Sequence, residues 1–101
     1  MTTPLTLIVD LTAKPGLGDT LGAGLRAMIA PTLSEEGCLG YVVYRNNADP
    51  DHWIVHETWA SAAALDHHFA QPYTTALFAQ APELVAKEPV MTFATSVGPS
   101  D

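Results

Sequence analysis

The chain has 101 residues, 48% of them apolar and only 15% charged, with a formal net charge of −7. Its four cations, Lys14, Arg26, Arg45 and Lys87, cannot make a basic track along phosphates, which argues against nucleic acid and anionic membrane surfaces as partners. The length allows one domain, residues 1–101, and so few charges on so small a body point to apolar surface that a subunit interface would cover.

The opening "MTTPLTLIVDLTAK" carries no basic leader, and Asp10 interrupts its apolar run, so neither a signal peptide nor a membrane span is expected. The single cysteine, Cys38, cannot close an internal disulfide, and a cytoplasmic setting is expected. Within that opening, Leu5, Leu7, Val9 and Leu11 alternate with Thr6, Ile8, Asp10 and Thr12, the period-two pattern of a strand. "KPG" breaks it. From Gly18 to Leu33 the apolar residues Leu21, Leu25, Met28, Ile29 and Leu33 trace one helical stripe, with Asp19 as the expected cap and Pro31 tightening or kinking the last turn.

"CLGYVVYRN" and "HWIVHETWA" predict two strands joined through the turn-rich "NADPD" as an antiparallel hairpin. The first is expected to place Cys38, Gly40, Val42 and Tyr44 on one face and Leu39, Tyr41, Val43 and Arg45 on the other. Ser61 is the expected cap of a helix over "AAALDHHFAQ", which Pro72 ends or redirects. "YTTALFAQAPELVA" predicts one or two short helical turns interrupted at Pro82, "EPVMTFATSV" a closing strand, and the tail over 98–101 fraying. The resulting order, β-α-β-β-α-β, defines an α+β, ferredoxin-like fold with a four-stranded antiparallel sheet and helices on one face. The other face is too apolar to stand bare in water, so a homodimer with two sheets packed face to face is expected.

The stretches "SEEGCLGYVVYR" and "ETWASAAALDHHFAQPY", with the strand-to-helix passage "VDLTAKPGLGDTL", resemble the antibiotic biosynthesis monooxygenase (ABM) domain family over nearly the whole chain. The resemblance implies the dimeric α+β barrel and, from one branch of the family, cofactor-independent oxygenation of phenolic or quinol substrates. A second branch degrades haem. There the position of His68 is a tryptophan and a haem-ligating histidine follows one helical segment later; here that segment, "YTTALFAQ", offers Phe78 and no histidine. Among the polar residues that the polyketide-type monooxygenases place around a pocket tryptophan, only Trp59 has a match. The corresponding strand position is Val55, and no arginine follows Arg45.

The candidate site lies in "HETWASAAALDHHF". Trp53, Val55, Glu57 and Trp59 share one strand face, so Trp59 either fills space between sheet and helix or walls a pocket by stacking on an aromatic ligand. A carboxylate in that company must be partnered; Glu57 is either a structural hydrogen-bonding group or a base whose pKa burial has raised. His67 and His68 point about 100° apart on a helix and cannot form one metal face. His68 shares its side with Leu65 and faces inward, as a tie between helix and strand or as a general base; His67 meets solvent. No spacing supports a metal site, even with His52 or His56, nor a nucleotide loop or a serine nucleophile. Cys38, behind Glu35 and Glu36, is expected as a small buried apolar group rather than a thiolate.

The expected function is a cofactor-free monooxygenase that oxidises a phenol, quinol or polycyclic aromatic with O₂. His68, Trp59 and Glu57 would be its catalytic residues, with Glu57 orienting His68 or sharing its proton, and Tyr41, Val55, Leu65, Tyr73 and Phe78 would line its pocket. The alternative is a non-catalytic dimer that binds a small molecule on the same scaffold.

Overall fold

The structure, a computed structural model, describes residues 3–98; the expectation of a frayed tail falls, beyond Gly98, outside the described residues. The elements run β1 (Leu5–Thr12), α1 (Gly18–Ala27), α2 (Ile29–Leu33), β2 (Cys38–Arg45), β3 (His52–Trp59), α3 (Ala62–Phe69), α4 (Pro72–Leu84) and β4 (Val90–Ala94). The strands form one antiparallel sheet in the order β2-β3-β1-β4, the ferredoxin-like α+β arrangement. Alternation works as the sequence demands: Leu7, Val9 and Leu11 of β1 pack with Trp53, Val55 and Trp59 of β3 beneath Leu21, Leu25 and Met28 of the helical layer. Each such fully buried side chain contributes ~1.5–3 kcal/mol.

The β2–β3 hairpin closes through two side-chain turns, Asn46 Oδ1 accepting from the Ala48 N–H at 2.8 Å and Asp49 Oδ1 from that of Asp51 at 3.0 Å. At the other end of β2 the register shifts between Cys38 and Gly40. Cys38 therefore pairs with Trp59 on the core side and Leu39 bulges out to solvent, against the strict alternation expected.

Other boundaries moved for local reasons. The single helix expected over 18–33 is two, because Pro31 has no N–H to give the Ala27 carbonyl, and α1 ends there. Asp19 does not cap α1. Leu17 holds the cap position without a side-chain bond, and Asp19, one residue inside the helix, instead pairs with Arg45 at 2.8 Å. Pro72 opens α4 at its first turn, where a missing N–H costs nothing, and α4 runs unbroken through Pro82 to Leu84. Pro82 falls in the last turns, where it removes one bond while its neighbours hold; the Val85 N–H still reaches the Ala81 carbonyl at 2.9 Å. Ser61 caps α3 as expected, accepting from the Ala64 N–H at 3.1 Å. The closing strand is shorter than expected, confined to Val90–Ala94.

Candidate functional site

Leu65 and His68 lie three apart on α3, so both turn to the sheet and both are buried, whereas His67 is exposed and bonds Gln71 at 2.8 Å. The His68 side chain, with the residue only 2% exposed, sits directly over β3. Its ring stacks on the Trp59 indole at 4.7 Å between centroids, and Tyr41, Phe69 and Tyr73 surround it at 5.9–6.4 Å.

Two carboxylates flank this imidazole. Glu35 Oε2 accepts from His68 Nδ1 at 2.7 Å, and the Tyr73 hydroxyl donates to the same oxygen. Tyr73 is pushed up to about 12 by burial and then by that hydrogen bond. Glu57, 4% exposed, stands on the other side, its Oε1 3.9 Å from His68 Nε2 and accepting from the Trp59 Nε1–H at 2.9 Å. Burial raises the Glu57 carboxyl above its ordinary value and the charge of Glu35 adds to that, while the indole hydrogen bond and His68 pull it down. Burial likewise raises the Tyr41 hydroxyl and the Cys38 thiol, so both stay neutral.

Glu35 reaches His68 because the turn after α2 folds tightly onto α3. Gly37 takes a φ of +89°, and its missing Cβ leaves room for the Ala64 methyl, which a side chain there would meet at 2.7 Å. The Gly37 carbonyl, bound by the Ala60 N–H at 2.8 Å, ties the turn to the start of α3.

A cavity of about 40 Å³ adjoins these groups. Glu57, His68 and Thr74 are its polar lining, and Tyr41, Val55, Met28, Leu77, Phe78 and Met91 supply much of the apolar remainder. Thr74 is 2% exposed, and its hydroxyl has no partner among the described residues; the same holds for Glu35 Oε1 and the Thr32 hydroxyl.

The structure thus brings Glu57, Trp59 and His68 together and sets Tyr41, Val55 and Phe78 on the cavity. Three expectations need correction. Trp59 is 0% exposed and does not line the cavity; its ring face is spent on His68 and its N–H on Glu57. Leu65 and Tyr73 do not line it either: Leu65 belongs to the core and Tyr73 to the Glu35 cluster. The group that hydrogen-bonds His68 is Glu35, 33 positions away, rather than Glu57. Its only sequence signal is the acidic pair Glu35-Glu36 before Gly-Cys in "SEEGC", while nothing distinguishes Thr74 from the other threonines of the chain. Among the described residues no group of three or more His, Cys, Asp or Glu could hold a metal ion.

The chain matches the antibiotic biosynthesis monooxygenase family over residues 4–80, and it belongs to that family. It is 35% identical over 92 residues to "Putative monooxygenase Rv0793" of Mycobacterium tuberculosis, covering 91% of this chain and 90% of that one. The solved structure bearing that designation superposes with a TM-score of 0.92 at 28% identity, covering 98% and 100% of the two chains. A Pseudomonas aeruginosa structure follows with a TM-score of 0.89 at 32% identity, covering 97% and 98%. An uncharacterized Synechocystis protein is 31% identical over 84 residues; the match takes in 83% of this chain but only 57% of that longer protein.

Proposed function

We propose that the protein is a cofactor-independent monooxygenase acting on a neutral phenol, quinol or polycyclic phenolic ring. The observation that carries this is His68, fixed by Glu35 through Nδ1 at 2.7 Å, with Glu57 3.9 Å from its Nε2 and both His68 and Glu57 lining a largely apolar cavity. With a Glu35 carboxyl oxygen accepting from Nδ1–H, Nε2 is the nitrogen left with its lone pair and takes the phenolic proton. The phenolate is then electron-rich enough to reduce O₂. A ring C–H and the O–H are lost, one oxygen atom becomes the new carbonyl of a quinone, and the other leaves as water. Protein groups need only bind, deprotonate and exclude solvent. Glu57, whose carboxyl lies 3.9 Å from His68 Nε2 and is raised above its ordinary value by burial, is the second group of the site that can exchange a proton with the substrate. The Trp59 N–H holds that carboxyl in place.

The working unit in this proposal is a homodimer. The sheet face away from the helices exposes Val42, Tyr44 and Val90, with Leu39 beside them. A concavity of about 790 Å³ over it, lined among others by Thr6, Val42, Tyr44, His56 and Val97, suits a second copy.

Oxygen uptake with a panel of hydroquinones, in the absence of flavin, haem and added metal, tests the proposal. Wild type is expected to consume O₂ and His68→Ala to lose at least a hundredfold in kcat. Equal rates in both overturn it. A second function, non-catalytic binding of a small molecule, is favoured by the size of the cavity, which holds a water rather than a ring. That function predicts a rise in melting temperature with the same compounds and no O₂ uptake.

A further inference from the structure

A cavity of about 40 Å³ cannot take an aromatic ring, since an engineered hole of roughly 150 Å³ is what accommodates benzene. A larger space lies beside it. Between α4 and β4, floored by the chain that links them, a cleft of about 500 Å³ is lined by Phe78, Ala81, Pro82, Val85, Met91 and the stretch 87–89. Phe78 and Met91 line both spaces, and they are 41% and 39% exposed, so each can turn outward without emptying the core. The floor is fixed: the Lys14 N–H bonds the Leu84 carbonyl and the Ala86 N–H the Thr12 carbonyl, both at 2.8 Å.

We infer that this cleft is the binding site for the ring of the substrate, and that Phe78 and Met91 are the movable partition between it and the proton-transferring groups. When both swing aside, the two volumes join, and a hydroxyl on the ring edge reaches the cavity that His68, Glu57 and Thr74 line. The buried Thr74 hydroxyl is the independent mark of a missing ligand: it has room beside it and no partner among the described residues. Lys87 and Glu88 on the rim offset one another, and the chain carries a net charge of −7, so the cleft suits a neutral phenol over an aromatic acid.

The inference rests on the oxygenase function proposed above, and methionine NMR separates the two. Met91 is in the partition and Met28 lines only the inner cavity, so ¹³C-methyl labels report on both spaces. Titration with 2-naphthol, a phenol that needs no turnover to be seen, is expected to move both methyl signals saturably. Met91→Trp fills the mouth and is expected to weaken naphthol at least tenfold and abolish the Met28 shift; Phe78→Leu, a milder change, is expected to enlarge that shift. Wild-type titration that leaves the Met91 methyl unmoved, or an undiminished Met28 shift in Met91→Trp, overturns the site. Naphthol binding as described with no hydroquinone oxidised leaves the cleft standing and removes the oxygenase. Equal hydroquinone turnover by wild type and Met91→Trp keeps the oxygenase and removes the cleft.

Discussion

One carboxylate oxygen of Glu35 accepts both from His68 and from the Tyr73 hydroxyl, in a setting where its side chain is only 6% exposed. Removing Glu35 leaves the buried His68 N–H and the Tyr73 hydroxyl without their acceptor, at a cost of ~1–3 kcal/mol. Glu35→Ala is therefore expected to lower unfolding stability at neutral pH by about that much in a urea titration; an unchanged stability would show that His68 is not held by this bond. Glu57 gives a pH signature. Its carboxyl is raised in the folded state, so the native protein holds the proton to higher pH than the unfolded chain does. The stability it lends is complete below the unfolded-state value and disappears as pH climbs through the folded one. Wild type minus Glu57→Gln is expected to show stability falling with rising pH across that window, and a flat difference rejects the raised value. Trp59→Phe removes a hydrogen bond that lowers the same carboxyl, so the window is expected to move to higher pH in that variant.

Helix propensity and packing make opposite statements about α1. Each of Gly22 and Gly24 weakens the helix by ~1 kcal/mol relative to alanine. Yet Gly22 is buried, and a Cβ there would overlap the ring of Trp53, whose Nε1–H bonds the Gly18 carbonyl at 3.0 Å and whose ring carries the Arg45 guanidinium at 4.7 Å. Thermal denaturation of Gly22→Ala is expected to show a destabilised protein despite the better helix former. Gly24→Ala meets only the mobile end of Leu77 at 3.3 Å and is expected to be neutral or stabilising by up to ~1 kcal/mol. Identical effects at the two positions would mean that α1 does not seat on Trp53.

For the whole molecule, the sheet face without helices is the feature that needs an explanation. If two copies close over it, a charge on it is expected to separate them, because a carboxylate in place of Val42 or Tyr44 on the edge strand β2 would be buried without a partner. Sedimentation at micromolar concentration is expected to give a dimer for wild type and a monomer for Val42→Asp with Tyr44→Asp. A wild-type monomer removes the homodimer from the proposed function.

Element type and order were legible in the chain because both rest on local information: the alternation of Leu5 to Thr12, the Ser61 cap and the Asn and Asp turn chemistry of residues 46–51 act within a few positions. Half the site was legible for the same reason, since Glu57, Trp59 and His68 crowd into one short stretch. The tertiary structure alone decided that Glu35 partners His68, that Trp59 packs instead of walling a pocket, and that Thr74 faces the cavity. Each of those depends on how separate elements meet across a tightly filled core, and no period or motif within one element records where the next will lie.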